Sequence, residues 1–173
     1  MPKGDFTPLA SIRLHWKSWP IVVHSARTAV AAVVSLSVAW LVRLPEAYWA
    51  PVTTLVIAQS SLGAALTVSR QRFAGTALGA AVSAVVATYF SPGLFVFGIS
   101  VFLLGLLCAL AYLDRSAYRF SGVTLAIVLL VPRAAPAWII ALHRFAEVSI
   151  GIAVALLLAT VWPEQEDLTP ANK

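Results

Sequence analysis

The sequence predicts an all-α protein: a polytopic membrane bundle of six transmembrane helices, built as two inverted three-helix repeats. Three observations carry that expectation. Hydrophobic residues make up 60% of the 173-residue chain and charged residues only 11%, against about 25% charged in ordinary soluble domains. The mean hydropathy of +0.88 means more apolar side chain than a core of this size can bury, and a bilayer is the natural solvent for the excess. The apolar residues also fall into six segments, and one of these recurs at a fixed distance along the chain.

The first segment runs from Ile21 to Leu44, opened by Pro20 at a favourable first helical position and closed near Pro45. The second starts at Tyr48 and continues to Ser69, the third runs from Phe73 to Phe90, and the fourth from Leu94 to Leu113. The fifth, Tyr118 to Val131, stops at Pro132, and the sixth runs from Ala137 to Trp162. With a rise of 1.5 Å per residue, roughly 20 residues cross a hydrocarbon layer ~30 Å thick. The fifth segment falls short of that length and the others come close to it or exceed it. Residues 1–19 read as a cytoplasmic or interfacial segment, residues 20–163 as the transmembrane domain, and residues 164–173 as an acidic cytoplasmic tail. Within the first part, "PLASIRLHWKSW" mixes basic and aromatic residues as an interfacial helix does, with an unstructured tail as the other reading.

Orientation follows from the basic residues. With a cytoplasmic amino terminus, Lys3, Arg13, Lys17, Arg27, Arg70, Arg72, Arg115, Arg119 and Lys173 lie on inner flanks, and only Arg43, Arg133 and Arg144 on outer ones. That bias satisfies the positive-inside rule and places both termini in the cytoplasm. The net charge of +5 is thereby explained by orientation. Nucleic acid is not an expected partner, because the cations stand singly at segment ends, with no basic stripe.

The repeat is read from "RFAGTALGAAVSAVVATYF" (72–90) and "RFAEVSIGIAVALLLATVW" (144–162). They agree at Arg72/Arg144, Phe73/Phe145, Ala74/Ala146, Gly79/Gly151, Ala81/Ala153, Val82/Val154, Ala87/Ala159 and Thr88/Thr160. Val52-Thr53 and Val123-Thr124 match at nearly the same offset. Three spans per half send the second half through the membrane upside down, a design that recurs in transporters, where interrupted helices in matching positions point to the binding site.

Such an interruption stands in "YWAPVTTLVIAQSSLGAAL" (48–66), where Gln59-Ser60-Ser61-Leu62-Gly63 falls about 15 Å beyond Trp49. Polar groups at that depth are tolerated where they face protein or a wet cavity. Thr53, Thr54, Gln59, Ser60 and Ser61, with Thr124 from the partner segment, are therefore candidates for a polar substrate path. Interhelical hydrogen bonding, or bonding of each hydroxyl to its own backbone, is the alternative.

Arg27, Arg72 and Arg144 are candidates for attracting anions. The repeat puts Arg72 at the cytoplasmic end of one helix and Arg144 at the outer end of its mate, a cation at each mouth. A guanidinium also grips carboxylates bidentately, whereas ordinary snorkelling at helix ends is the competing reading. Glu147 is the one acid within a span and shares a helix face with His143 and Arg144. It reads either as an ion pair with Arg144 or as a proton-coupling group with His143. Gly75, Gly79 and Gly151 read as helix-packing positions. Tyr48, Trp49, Tyr89 and Trp162 suit interfacial belts.

Catalysis finds no foothold: the chain has no P-loop, no GxSxG and no metal-spaced histidine cluster, so neither enzyme activity, a metal nor a cofactor is expected. Cys108 is the single cysteine and reads as a buried thiol. The first nineteen residues hold no apolar core of a cleavable signal peptide, so the first span is expected to target the protein.

"YWAPVTTLVIAQSSLGAAL", the run Arg72-x-x-Gly75-Thr76-x-x-Gly79, and "RFAEVSIGIAVALLLATVWP" resemble the fusaric acid resistance protein-like transporters. That group includes bacterial aromatic carboxylic acid exporters and is distantly similar to aluminium-activated malate transporters. The resemblance covers roughly residues 20–163. It implies a six-span domain of the bacterial inner membrane that exports small organic anions and assembles as a homo-oligomer, most simply a two-fold dimer. Many members carry a further cytoplasmic domain or a second membrane unit. A passive anion channel and a non-transporting membrane subunit of a larger complex are the alternative functions.

Overall fold

The computed structural model describes residues 19–58, 61–132 and 135–162. Its described part is helical: α1 Trp19–Leu41, α2 Trp49–Ile57, α3 Leu62–Tyr89, α4 Leu94–Leu110, α5 Arg115–Leu130 and α6 Ala137–Val161. Among the described residues, α1 (from Ile21) and α6 are long and apolar enough to cross a membrane, and α4 is a shorter apolar helix. Apolar side chains cover much of the outside. Val30, Val33, Trp40 and Leu41 of α1 and Leu94, Phe95, Ile99, Phe102 and Leu110 of α4 are exposed, as a protein solvated by acyl chains requires.

The boundary between the second and third segments differs from expectation. The segment expected over 48–69 is a nine-residue α2, a break, and the first turns of a 28-residue α3. The break therefore separates two helices and does not interrupt one. Ser61 starts α3 as its N-cap, its hydroxyl accepting the Ala64 N–H at 3.2 Å. Arg70-Gln71-Arg72, which falls between the second and third expected segments with Arg72 at a helix end, lies inside α3, where Thr53 of a neighbouring helix meets the Arg72 guanidinium. Gln59 and Ser60 lie outside the described residues, as do residues 1–18, Arg133 and the tail from residue 163.

Long antiparallel α3 and α6 form the centre. Ala65 clusters with Ala155 toward one end, and Ala80 with Ala141 toward the other. Near the middle, the Phe73 and Phe145 rings meet at 5.0 Å between centroids. α5 packs beside α3 and α2 beside α6, with α4 outside α5 and α1 outside α2. Exchanging α1 with α4, α2 with α5 and α3 with α6 maps the whole set of packed helix pairs onto itself. The cores follow the same exchange: Ile57, Ala65 and Ile152 occupy one cluster, Val128, Ala137 and Ala80 the other.

Even the helix ends match. Arg43 after α1 and Tyr112 after α4 take left-handed backbone, with φ of 58° and 52°. The following N–H groups reach back over the last turn, Leu44 to the Ala39 carbonyl at 3.1 Å and Leu113 to that of Cys108 at 2.9 Å. Each is a Schellman-type stop without the usual glycine.

Candidate functional site: a buried arginine pair where α3 and α6 cross

Three glycines allow backbones to touch around the crossing. A Cβ on Gly75 would strike the Ala117 carbonyl, one on Gly79 the Ser121 carbonyl, and one on Gly151 the Ala50 carbonyl and, at 2.6 Å, Thr53 Cβ. Gly79 and Gly151 are repeat counterparts, and so are the Ser121 and Ala50 they meet, at the offset that relates Thr53 to Thr124. These contacts draw α5 onto α3 and α2 onto α6 and fix the side chains between them.

Arg72 is 7% exposed and Arg144 2%. The sequence places them at helix ends, one per mouth. In the structure Arg72 lies ten residues into α3 and Arg144 seven into α6, both in the bundle interior. Arg72 donates from Nε (3.2 Å) and Nη2 (3.0 Å) to Thr53 Oγ1, and that hydroxyl donates to the Trp49 carbonyl at 2.9 Å. The Arg72 guanidinium also lies 4.8 Å from the Phe120 ring centroid. Arg144 lies over the Trp49 ring at 3.9 Å and donates from Nη1 to Glu147 Oε2 at 3.3 Å. Trp49 and Phe120 are equivalent in the repeat, so the two cation–π contacts are counterparts. Thr53 and Trp49 stand one turn apart on α2, which brings both guanidiniums to the same short helix.

Glu147 has no exposed surface. Its Oε1 and Arg144 Nε are buried without a hydrogen-bond partner among the described residues. A cleft of about 210 Å³ leads to them, lined by Pro45, Glu46, Ala135, Ile140, His143, Arg144 and Glu147. Pro45 and Ala135 are exposed, so the cleft reaches the surface. Glu46 Oε2 accepts the Trp49 Nε1–H at 3.1 Å, tying the α1–α2 turn to the aromatic ring beneath Arg144.

The other candidates scatter. Thr54 Oγ1 lies 3.1 Å from both the Ala50 and the Gly151 carbonyls, holding α2 to α6. Thr124 is buried but bonds back to the Phe120 carbonyl of its own helix at 3.1 Å. Ser61 is the α3 cap. Arg27 donates to the Trp162 carbonyl at 3.1 Å, at the carboxyl end of α6, far along the chain from the crossing. His143 lines the cleft. Sequence reasoning missed Trp49, Phe120 and Glu46 as parts of the site, treating Trp49 as an interfacial anchor. Extending the repeat offset back from Thr53/Thr124 would have paired Trp49 with Phe120.

A helical membrane protein with internally matched halves, outward apolar faces and paired buried cations is the class this architecture defines, and it is a class that transporters populate. The chain belongs to the fusaric acid resistance protein family, whose model matches residues 21–169. It is also similar to a protein named the uncharacterized transporter YdhK of Escherichia coli K12, with 28% identity over 155 residues, 84% of this chain and 23% of the relative. The same protein of Salmonella typhimurium LT2 matches to the same extent. The chain spans about a quarter of the length of these relatives. No solved structure matches.

Proposed function

We propose that this chain is the membrane unit of an exporter for small organic anions such as aromatic carboxylates. It works in the bacterial inner membrane as a six-span domain of two inverted three-helix halves, with both termini cytoplasmic, as a homo-oligomer. The observation that carries the reading is the burial of Arg72 and Arg144 in the interior, where they reach Thr53 and Trp49 of the same short helix. Family membership, transporter-named relatives, the antiparallel crossing and the matched helix pairs support it. An intramembrane cation marks a functional site by default, because its desolvation is unfavourable and such residues are rare where nothing depends on them. Two guanidiniums near one short helix offer forked donors to a carboxylate, and the Trp49 and Phe120 faces beside them suit an aromatic ring. Thr53, Thr54 and Thr124 belong to the neighbouring helices, and Gln59 and Ser60, candidates from the sequence, lie outside the described residues.

The test is efflux of a hydroxybenzoate from proteoliposomes. Arg72→Ala is expected to slow flux about tenfold or more and Arg72→Lys less, since lysine keeps charge without the fork. Gln59→Ala is expected to slow flux by a smaller factor. Wild-type flux in all three variants would reject the site. Anion currents across a planar bilayer without a proton gradient would convert the reading to a passive channel, and absence of flux would reject transport by this unit.

A further inference from the structure

We propose that the cleft beside Arg144 and Glu147 is a binding site for a neutral single-ring hydroxyl compound, a phenol, whose O–H completes the hydrogen bonding of that pair. The site stands beside the anion reading and does not depend on it. It engages Arg144 and leaves Arg72, whose partners are the Thr53 hydroxyl and the Phe120 ring, to a carboxylate.

The unpaired atoms define the chemistry. Arg144 and Glu147 are buried, and a three-residue step along α6 joins them through Nη1 and Oε2 at 3.3 Å. Trp49 meets the guanidinium with its face at 3.9 Å, and Glu46 Oε2 accepts the indole N–H, so the plane of the guanidinium is fixed. Arg144 Nε and Glu147 Oε1 remain, one donor and one acceptor, each buried without a hydrogen-bond partner among the described residues. Polar atoms left in that condition are strongly disfavoured, most of all on charged groups.

Three kinds of ligand group can be set against this pair. A carboxylate accepts from Nε–H but has no proton for Oε1, and its charge faces that of Glu147. An ammonium donates to Oε1 but has no acceptor for Nε–H, and its charge faces Arg144. A hydroxyl carries one O–H donor and two acceptor lone pairs. It serves both atoms at once and adds no charge to the interior.

The cleft supplies the rest of the fit. Its volume of about 210 Å³ exceeds the ~150 Å³ of an engineered cavity that binds benzene, so one ring enters. Ile140 forms a buried apolar wall, and Pro45 and Ala135 stand exposed at the mouth. A ring packed on these residues points its hydroxyl inward to the ion pair. The matching positions on α3 are Gly75 and Gln71, which form no such pair, so one site per chain is expected.

The experiment is calorimetric binding of phenol, anisole and toluene to the purified full chain in detergent. The three share a ring, but anisole only accepts hydrogen bonds and toluene does neither. Phenol is expected to bind once per chain, about tenfold or more tighter than either analogue, as a hydrogen bond to a charged group implies. The double change Arg144→Met with Glu147→Met should bind all three alike. Ala135→Trp, which fills the mouth from an exposed position and leaves the pair untouched, should weaken phenol about tenfold, and His143→Gln should keep the preference for phenol. Equal affinity of the wild-type chain for phenol and anisole would mean that the pair takes only water, and the assignment falls. Unchanged phenol binding in Ala135→Trp moves the ligand elsewhere, and a preference lost in His143→Gln moves the hydroxyl to His143; either overturns the site. Displacement of phenol by an equal concentration of benzoate would make the cleft an anion site and overturn it too. Efflux through Arg72 is measured separately, so failure here leaves the transport reading standing.

Discussion

The α3·α5 and α2·α6 seams are counterparts in the repeat, yet one is closed and the other open. On α3, Gly75 and Gly79 seat against the backbone of α5, and Gln71 Nε2 donates to Asp114 Oδ2 at 2.9 Å across the adjoining turn. On α6, Gly151 seats against α2 in the same way, but the residue matching Gly75 is Glu147, and the residue matching Gln71 is His143. Where the first seam has backbone contact, the second has a carboxylate, an ion pair and a cleft. The difference teaches that glycine at one of two matched positions and an acid at the other separate a packing contact from an ion pair.

Removing one member of the ion pair should have the largest effect. Arg144→Met leaves Glu147 buried and unpaired and is expected to lower stability by about 3–5 kcal/mol, measured by SDS unfolding titration. The double change Arg144→Met with Glu147→Met should recover most of that loss. If the single change is neutral, the ion pair does not distinguish the seams. Next come the glycines. Gly79→Ala and Gly151→Ala should each lose about 1–3 kcal/mol, because a methyl meets a carbonyl that helix packing holds in place. Gly122→Ala, which meets nothing within 4 Å, should be neutral or gain up to about 1 kcal/mol of helix propensity. Equal effects at all three would remove the argument from close approach.

The matched threonines sharpen the comparison further. Thr53→Val removes the acceptor of Arg72 and should lose about 2 kcal/mol, whereas Thr124→Val removes a bond within its own helix and should lose about 0.5 kcal/mol. The smallest effect is expected at the helix stops. Arg43→Gly and Tyr112→Gly each relieve left-handed strain worth roughly 1 kcal/mol, and thermal unfolding should rise by similar amounts in both. A gain at one stop alone would show that the halves are not equivalent there.

Much of this was readable in the chain because it depends on spacing along it. The three-residue step from Arg144 to Glu147, the GxxxG and the Arg-Phe-Ala repeat are local patterns that helix geometry converts directly into shared faces. The start of α3 was not readable from apolarity. Arg70 and Arg72 end a hydrophobic run, and only a partner on another helix, Thr53, lets Arg72 sit inside one. Trp49 as the platform for Arg144 was hidden for the same reason, since a contact between distant elements leaves no trace in local periodicity. Glu46 falls between two expected segments, and its place in the cluster depends on how α1 and α2 are tethered.

The Phe73–Phe145 contact bears on how far the two halves are free to differ. Two equivalent residues touch only where a symmetry axis passes, so the matched halves meet about an axis running between these rings. Were the halves two identical chains, every substitution would be made twice, and an acid at the Gly75 position would open both seams at once. Within one chain the two positions are encoded separately, and Glu147 opposite Gly75 is an asymmetry that two identical copies could not hold.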